Sequence, residues 1–208
     1  MDRAAALDQQ ATGMSPAHLL ELLDYVWAAL GVYWVMSAHH SNDVQRGEPN
    51  LFRVVRITIL ITSFMLLLST WLRIGPLGRR YVSDAPWTQV VGISMTLAGV
   101  ALTVWARRRL GTNWSDKVEI KVDHELVLSG PYAYVRHPIY SGVLLGIAGT
   151  ALAIGEWRGI LAFGIMLVNY AIKAKKEERV LANRFGDAFR QHQRQTGFLI
   201  PHFHVRAH

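Results

Sequence analysis

The chain has 208 residues, 51% of them hydrophobic, with 22 Lys and Arg against 15 Asp and Glu and a formal net charge of +7. It holds no cysteine, which excludes disulfides, a thiolate nucleophile and a thiolate metal site. The apolar residues lie in long blocks with the basic residues mostly between them, the pattern of a membrane protein with basic loops; a nucleic-acid binder gathers its charge on a soluble face, and none is expected here.

The first 18 residues carry Asp2, Arg3 and Asp8 and no apolar core, so they do not read as a cleavable signal peptide. Residues 19–38 are apolar and long enough to span a bilayer, at roughly 20 residues. Glu21 and Asp24 fall near the start of that block, where an anion suits a helix N-terminus. Tyr25, Trp27, Tyr33 and Trp34 are placed to act as interfacial anchors. Residues 39–50 are polar, contain Gly47 and Pro49, and read as a loop. The most hydrophobic block, residues 57–72, is flanked by Arg53, Arg56 and Arg73 and broken after its end by Gly75, Pro76 and Gly78. A third span, residues 89–106, is rich in small residues (Gly92, Ser94, Ala98, Gly99, Ala101) that let helices approach closely.

Arg107, Arg108 and Arg109 read as the stop of that span. Residues 110–129 are polar, and Val118, Ile120 and Val122 alternate with charges, which suggests a short extended piece. Residues 143–154 and 160–172 are two shorter apolar blocks joined by Gly155-Glu156-Trp157-Arg158-Gly159, a tight helical hairpin. Gly142, Gly146 and Gly149 give its first arm a small-residue face. From Lys173 onward the sequence reads as a soluble amphipathic helix, with Leu181, Phe185 and Phe189 on one face and Gly197 and Pro201 ending it.

The fold expected is therefore all-α and integral to the membrane, with about five transmembrane helices. Residues 1–106 form an N-terminal transmembrane part and residues 107–208 a region carrying the chemistry. Seventeen of the 22 Lys and Arg then share one side, and five (Arg3, Arg73, Arg79, Arg80, Arg158) the other. The basic excess assigns the loop after the third span and the C-terminal tail to the cytoplasm and the N-terminus to the outside.

The densest chemistry lies in residues 130–142, GPYAYVRHPIYSG. Two prolines at this spacing do not fit one regular helix, since each removes an N–H donor and restricts the residue before it. An Arg, a His and three phenols at the edge of an apolar block are costly unless they bind something. Set against that, His137 also reads as a structural histidine at a helix start, Arg136 as a positive-inside anchor, and Glu177 with Lys173 as a surface i,i+4 pair. His39, His40, His202, His204 and His208 lack the companion ligands a metal site requires, and no metal is expected.

LGTNWS at residues 110–115, His124 followed by Leu126-Val127, the GPYAYVRHPIYSG stretch, Lys-Glu-Glu-Arg at 176–179 and Phe-Gly at 185–186 together closely resemble the isoprenylcysteine carboxyl methyltransferase family. More broadly they resemble integral-membrane methyltransferases that include phospholipid N-methyltransferases. The resemblance covers residues 110–201; the first spans match in character only.

It implies transfer of a methyl group from S-adenosyl-L-methionine, leaving S-adenosyl-L-homocysteine, to a lipophilic or lipidated acceptor drawn from the bilayer, at a donor site on the cytoplasmic face. It further implies donor contacts at His124, Glu125, Leu126, Val127, Tyr132, His137, Pro138, Ile139, Tyr140 and Glu177. Lys117 corresponds to a position that is a donor-contacting glutamine in some members, and Lys173 to an arginine near the acceptor. Lys173 and His137 are the implied catalytic residues. Consistent with a site unlike the dinucleotide folds, the sequence has no Gly-x-Gly-x-x-Gly turn after a strand.

The acceptor stays open at this level. Carboxyl O-methylation of an isoprenylcysteine is favoured, beside N-methylation of a phospholipid amine and S-methylation of a small thiol. A lipid-binding membrane protein and a nicotinamide-dependent reductase of similar fold are the readings of another class. A carboxylate acceptor needs no base, whereas an amine or thiol must lose a proton, for which His137 or Glu178 would be considered.

Overall fold

The computed structural model describes residues 16–38, 50–83, 85–111 and 126–202. Every regular element among them is helical. The long helices are α1 (Pro16–Ala38), α2 (Asn50–Leu68), α3 (Pro86–Leu110), α4 (Pro138–Ile154), α5 (Trp157–Phe185) and the short α6 (Asp187–Gln195), with 3-10 turns at Thr70–Leu72, Gly75–Gly78 and Gly130–Ala133. The extended piece expected at residues 118–122 lies outside the described residues.

The helix ends follow from local chemistry. Pro86 opens α3 and Pro138 opens α4, where a missing N–H costs nothing. Arg107, Arg108 and Arg109 occupy the last turn of α3, against the negative end of its dipole. Gly155, at φ +67°, takes the left-handed conformation that closes α4 and turns the chain into α5. The expected α4–α5 hairpin is therefore present.

Two expectations need correction. The block read as residues 57–72 ends as a helix at Leu68; beyond it Ser69 accepts from the Trp71 amide at 3.3 Å and starts a 3-10 turn. The segment from Lys173 is not a separate helix. It continues α5 without a break from Trp157 to Phe185, because no Gly or Pro intervenes after the apolar run; the break comes at Gly186, at φ +52°.

The most extensive interface joins α3 and α4. A Cβ on Gly99 would fall onto the Gly142 carbonyl, and one on Gly142 would reach the Thr103 hydroxyl, so the backbones touch through bare glycines. Buried Thr96 and Thr103 satisfy themselves on backbone carbonyls, Thr96 on Gly92 (3.0 Å) and Gly146 (3.1 Å), Thr103 on Gly99 (2.8 Å). The main apolar core gathers Trp27, Leu66, Leu67, Ile147 and Met166 around α4.

At the hairpin end, Arg158 is buried beneath the end of α2. Its guanidinium donates to the carbonyls of Leu66 (2.9 Å), Leu67 (3.1 Å) and Ser69 (2.7 Å) and to Glu156 (2.6 Å), so it satisfies carbonyls that a helix end leaves unpaired. Arg73 adds a second ion pair to Glu156 at 2.9 Å.

Large apolar side chains are exposed along the bundle, among them Val32, Met36, Val54, Ile61, Val90 and Val168. Water does not favour such a surface, and the hydrocarbon of a bilayer does. α3 is the one described helix both long and apolar enough to cross a membrane by length and composition; Val54–Leu68 and Pro138–Ile154 are shorter apolar helices.

Candidate active site

The end of the bundle opposite the hairpin is built by the N-terminus of α4, the middle of α5 and the chain after α6. The 3-10 turn at Gly130–Ala133 buries Pro131 and Tyr132. Residues 134–136 then pair with residues 193–202. The Arg136 amide donates to the Gly197 carbonyl (2.9 Å), the Gly197 amide to Tyr134 (3.1 Å) and the His202 amide to Tyr134 (3.3 Å). Ser141 donates to the Leu199 carbonyl at 2.6 Å. The C-terminal segment is thus stitched onto the Arg-His-Pro loop by backbone bonds, a pairing with no periodic signal in the sequence.

Arg136 is occupied by that stitch. Its Nε donates to Glu178 at 2.5 Å and its Nη1 to the carbonyls of Gln193 (3.1 Å) and Thr196. Gln193 donates to the other Glu178 oxygen at 3.3 Å. Burial pushes the Glu178 carboxyl up, but the adjacent His137 ring and the Arg136 guanidinium outweigh it and hold the group below its usual value. His192, buried in α6, is held below its ordinary pKa, first by burial and then by the Arg136 charge.

His137 is the cap residue of α4 and is buried at 7% exposure. Its ring stacks on Tyr140 (5.5 Å between centroids, 9°) and meets Phe198 edge-on (5.4 Å). Nδ1 lies 3.6 Å from Glu177 and Nε2 3.4 Å from Glu178, and the buried Nε2 makes no well-formed hydrogen bond.

On the other side of Tyr140 stands Tyr170, also stacked, at 4.7 Å and 11°. The Tyr140 hydroxyl donates to Glu177 at 2.6 Å, and Lys173 Nζ lies 3.8 Å from the same oxygen and 5.5 Å from the Tyr140 ring centre. Lys173 and Glu177, four apart on α5, face this cluster from one helix face. Burial, then the Glu177 charge, raises the Tyr132 phenol, which stays a neutral donor.

Of the residues singled out from sequence, the structure brings Tyr132, His137, Pro138, Ile139, Tyr140, Lys173 and Glu177 to one end of the bundle, and Val127 packs against Tyr132, Ile139 and Ala106. Leu126 is half-buried at the start of the same segment. Lys117, His124 and Glu125 lie outside the described residues. Tyr134, a candidate phenol by composition, is exposed at 53% and serves through its backbone.

Sequence reasoning missed Phe198, Gln193 and the role of Arg107. That arginine is no mere stop: it is buried, and it donates to the Ser37 carbonyl (2.8 Å) and the Gly111 carbonyl (2.9 Å), tying the ends of α1 and α3 together. Only its place in a basic triplet was visible, and that signal points to a span boundary.

Beside this cluster a cavity of about 580 Å³ opens between α1, α2, α4 and α5. Tyr140, Tyr170, Lys173 and Arg56 line it near the cluster, and Trp27 and Phe64 line it further along.

These features define a helical, membrane-embedded protein with a polar, aromatic site at one end of its bundle and an apolar chamber beside it. Residues 87–188, about half of the chain, match the phospholipid methyltransferase family. The protein-S-isoprenylcysteine O-methyltransferase of Schizosaccharomyces pombe is 36% identical over 80 residues, covering 38% of this chain and 34% of that protein. The cobalt-zinc-cadmium resistance protein CzcN of Cupriavidus metallidurans is 28% identical over 166 residues, 77% of this chain and 66% of that one. A solved eukaryotic intramembrane Ras methyltransferase, an isoprenylcysteine carboxyl methyltransferase, aligns at 23% identity over 76% of this chain and 54% of that chain, with a TM-score of 0.48. The chain thus spans between a third and two thirds of the length of the curated relatives named here. Residues 87–188 are thus similar to the phospholipid methyltransferase family, and over part of its length the chain is similar to protein-S-isoprenylcysteine O-methyltransferases.

Proposed function

We infer that the protein is an S-adenosylmethionine-dependent methyltransferase acting on a lipophilic carboxylate, in the manner of isoprenylcysteine O-methylation. The observation that carries the reading is the cluster of His137, Tyr140, Lys173 and Glu177 at the head of an apolar cavity. Residues 107–208 hold the methyl donor in this reading, and the helices of residues 1–106 supply much of the acceptor's apolar wall. The chain crosses the bilayer about five times, with the donor site on the cytoplasmic side and the N-terminus outside, as the distribution of Lys and Arg favours.

The residues fit such a donor. Glu177 has acceptor capacity beyond Tyr140 and Lys173 for an ammonium or ribose hydroxyls. The buried His137 Nε2 lacks a well-formed hydrogen bond. Tyr132 adds an aromatic ring for an adenine or a sulfonium, and Tyr140, stacked on His137 and Tyr170, belongs to the same aromatic set. Lys117, His124, Glu125, Leu126, Val127, Pro138 and Ile139 belong to the same assignment by their match to the family motif. When bound, S-adenosylmethionine supplies an electrophilic methyl group on a sulfonium.

This chain's own work is positioning, since a displacement of this kind asks for reacting atoms held about 3–3.5 Å apart and in line. Lys173 holds the acceptor's charge at the mouth of the cavity. A carboxylate is favoured over an amine or thiol because it needs no base, and of the two residues considered for that role Glu178 is paired to Arg136 and held below its usual pKa, which makes it a poor proton acceptor.

Calorimetry with S-adenosylhomocysteine on detergent-purified protein tests the donor half. Glu177→Ala and His137→Ala are each expected to lose at least tenfold in affinity, about 1.4 kcal/mol; unchanged affinity in both sinks the assignment. Release of S-adenosylhomocysteine with a panel of prenylcysteine, phosphatidylethanolamine, fatty acid and small thiol tests the acceptor. Lys173→Ala is expected to keep donor affinity and lose turnover.

A further inference from the structure

The cavity is not uniform along its length. On α1 it runs from Val35 to Asp24 and on α2 from Arg56 to Leu68, yet on α4 its wall ends at Val143. The next turn of α4 carries Gly146, which has no side chain to fill that space. Trp27 fills it instead. A Cβ on Gly146 would lie 2.9 Å from Trp27 Cη2, so the indole rests directly on the glycine.

Three contacts hold that indole in place. Its Nε1 donates to the Thr150 hydroxyl at 3.0 Å. Phe64 of α2 meets it edge-on, at 4.9 Å between centroids and 77°. It is 6% exposed and sits in the main core with Leu30 and Ile147. A tryptophan whose polar edge is bonded and whose face is packed does not swing aside cheaply.

We propose that Trp27, backed by Gly146 and Thr150 and braced by Phe64, is the specificity-determining residue that limits the length of the acceptor's apolar tail. The tail lies in the cavity with its charged head at Lys173 and meets the indole one turn before the cavity ends at Asp24 and Leu68. At 1.5 Å per residue, the eight residues from Arg56 to Phe64 on α2 put the indole ~12 Å along the shaft from the head, the span of roughly ten extended chain carbons. A prenyl or alkyl chain of medium length reaches the indole, and a longer one has to pass it. This rests on the acceptor reading above for the head and on the cavity alone for the tail.

The two sides of the contact give opposite variants. Trp27→Ala opens the turn between Val143 and Thr150 and lengthens the shaft. Gly146→Ala leaves the indole but pushes it into the cavity and shortens the shaft. The probe is a series of N-acetyl-S-prenylcysteines with tails of five, ten, fifteen and twenty carbons. Each is titrated by calorimetry against wild type and both variants, with S-adenosylhomocysteine titrated separately.

For Trp27→Ala, the ratio of affinities for the longest tail over the ten-carbon tail is expected to rise at least tenfold. For Gly146→Ala it is expected to fall, with the five-carbon tail gaining relative to the ten-carbon one. If either variant fails to fold, the other still gives a signed shift. Unchanged tail preference in a variant that still binds S-adenosylhomocysteine overturns the proposal. Loss of S-adenosylhomocysteine binding by the wild type overturns the donor reading instead, and the tail ratios still decide the ruler.

Discussion

The two faces of α4 are built by opposite rules. Toward α3 it presents Gly142, Gly149 and the backbone of Gly146, and the helices meet backbone to backbone with hydroxyls bonded across the seam. Toward α1, α2 and α5 it presents Tyr140 and Val143, and there the bundle stands open around 580 Å³. Within a bilayer the lipid tails are as apolar as the side chains, so helix association leans on close packing and hydrogen bonds rather than on hydrophobic burial. The tight face supplies that association. The open face can then be spared for a ligand, and Tyr140 at the head of the same helix lines it.

That contrast can be broken most severely at the seam. Gly99→Val places a branched side chain against the Gly142 carbonyl, and we expect a loss above ~3 kcal/mol, with aggregation or loss of the monodisperse peak in detergent. An equally large side chain at Val143, on the open face, is expected to leave the fold intact and to compete with the acceptor. Size-exclusion profiles and thermal unfolding of the two variants separate the faces directly.

Next in size is the stitch at the end of the bundle opposite the hairpin. Arg136→Ala leaves Glu178 half-buried beside His137 and frees the Gln193 and Thr196 carbonyls. Breaking one half of such a pair costs about 3 kcal/mol. We expect S-adenosylhomocysteine affinity to fall with the melting temperature, since residues 197–199 hold Phe198 against His137.

A weaker version of the same loss follows from acid. The folded Glu178 pKa lies below the ordinary carboxyl value of 4.5, so its contribution is fully present above that value and is lost as pH falls through the lowered one. Melting temperature is expected to drop over that acid window in wild type and to drop less in Glu178→Gln. A flat difference between the two profiles would mean that the pair does not stabilise the fold.

The smallest effect is expected from Ser141→Ala, which removes one hydrogen bond to the Leu199 carbonyl and should cost ~1 kcal/mol, read as a modest shift in unfolding.

Much of this architecture was legible in the sequence. Block lengths and glycine breaks placed the long helices and the hairpin, because a helix is specified by neighbours a few residues apart. The glycines of α3 and α4 announced close packing, though not which ones would meet. The candidate residues were legible through a motif, and Tyr140, Lys173 and Glu177 stand together in the structure.

What stayed hidden depends on residues far apart. Trp27 and Thr150 are 123 positions from one another, and neither breaks a local pattern. Trp27 reads equally well as an interfacial anchor. Arg136 and Glu178 share an ion pair across 42 positions, so the sequence shows two charges and not their mutual neutralisation. The run from Ile172 to Lys173 was misread as a boundary because polarity changes there, yet polarity does not end a helix unless the backbone is also given a reason to stop.

That unbroken run ties the cavity to the polar cluster. α5 carries Tyr170 in the wall of the apolar chamber and Glu177 in the polar cluster two turns later, with no glycine, proline or bend between them. The two compartments therefore share one rigid rod. Tyr170 and Glu177 therefore keep a fixed spacing along one helix, and any coupling between groups bound at the two would by linkage be the same factor in both directions.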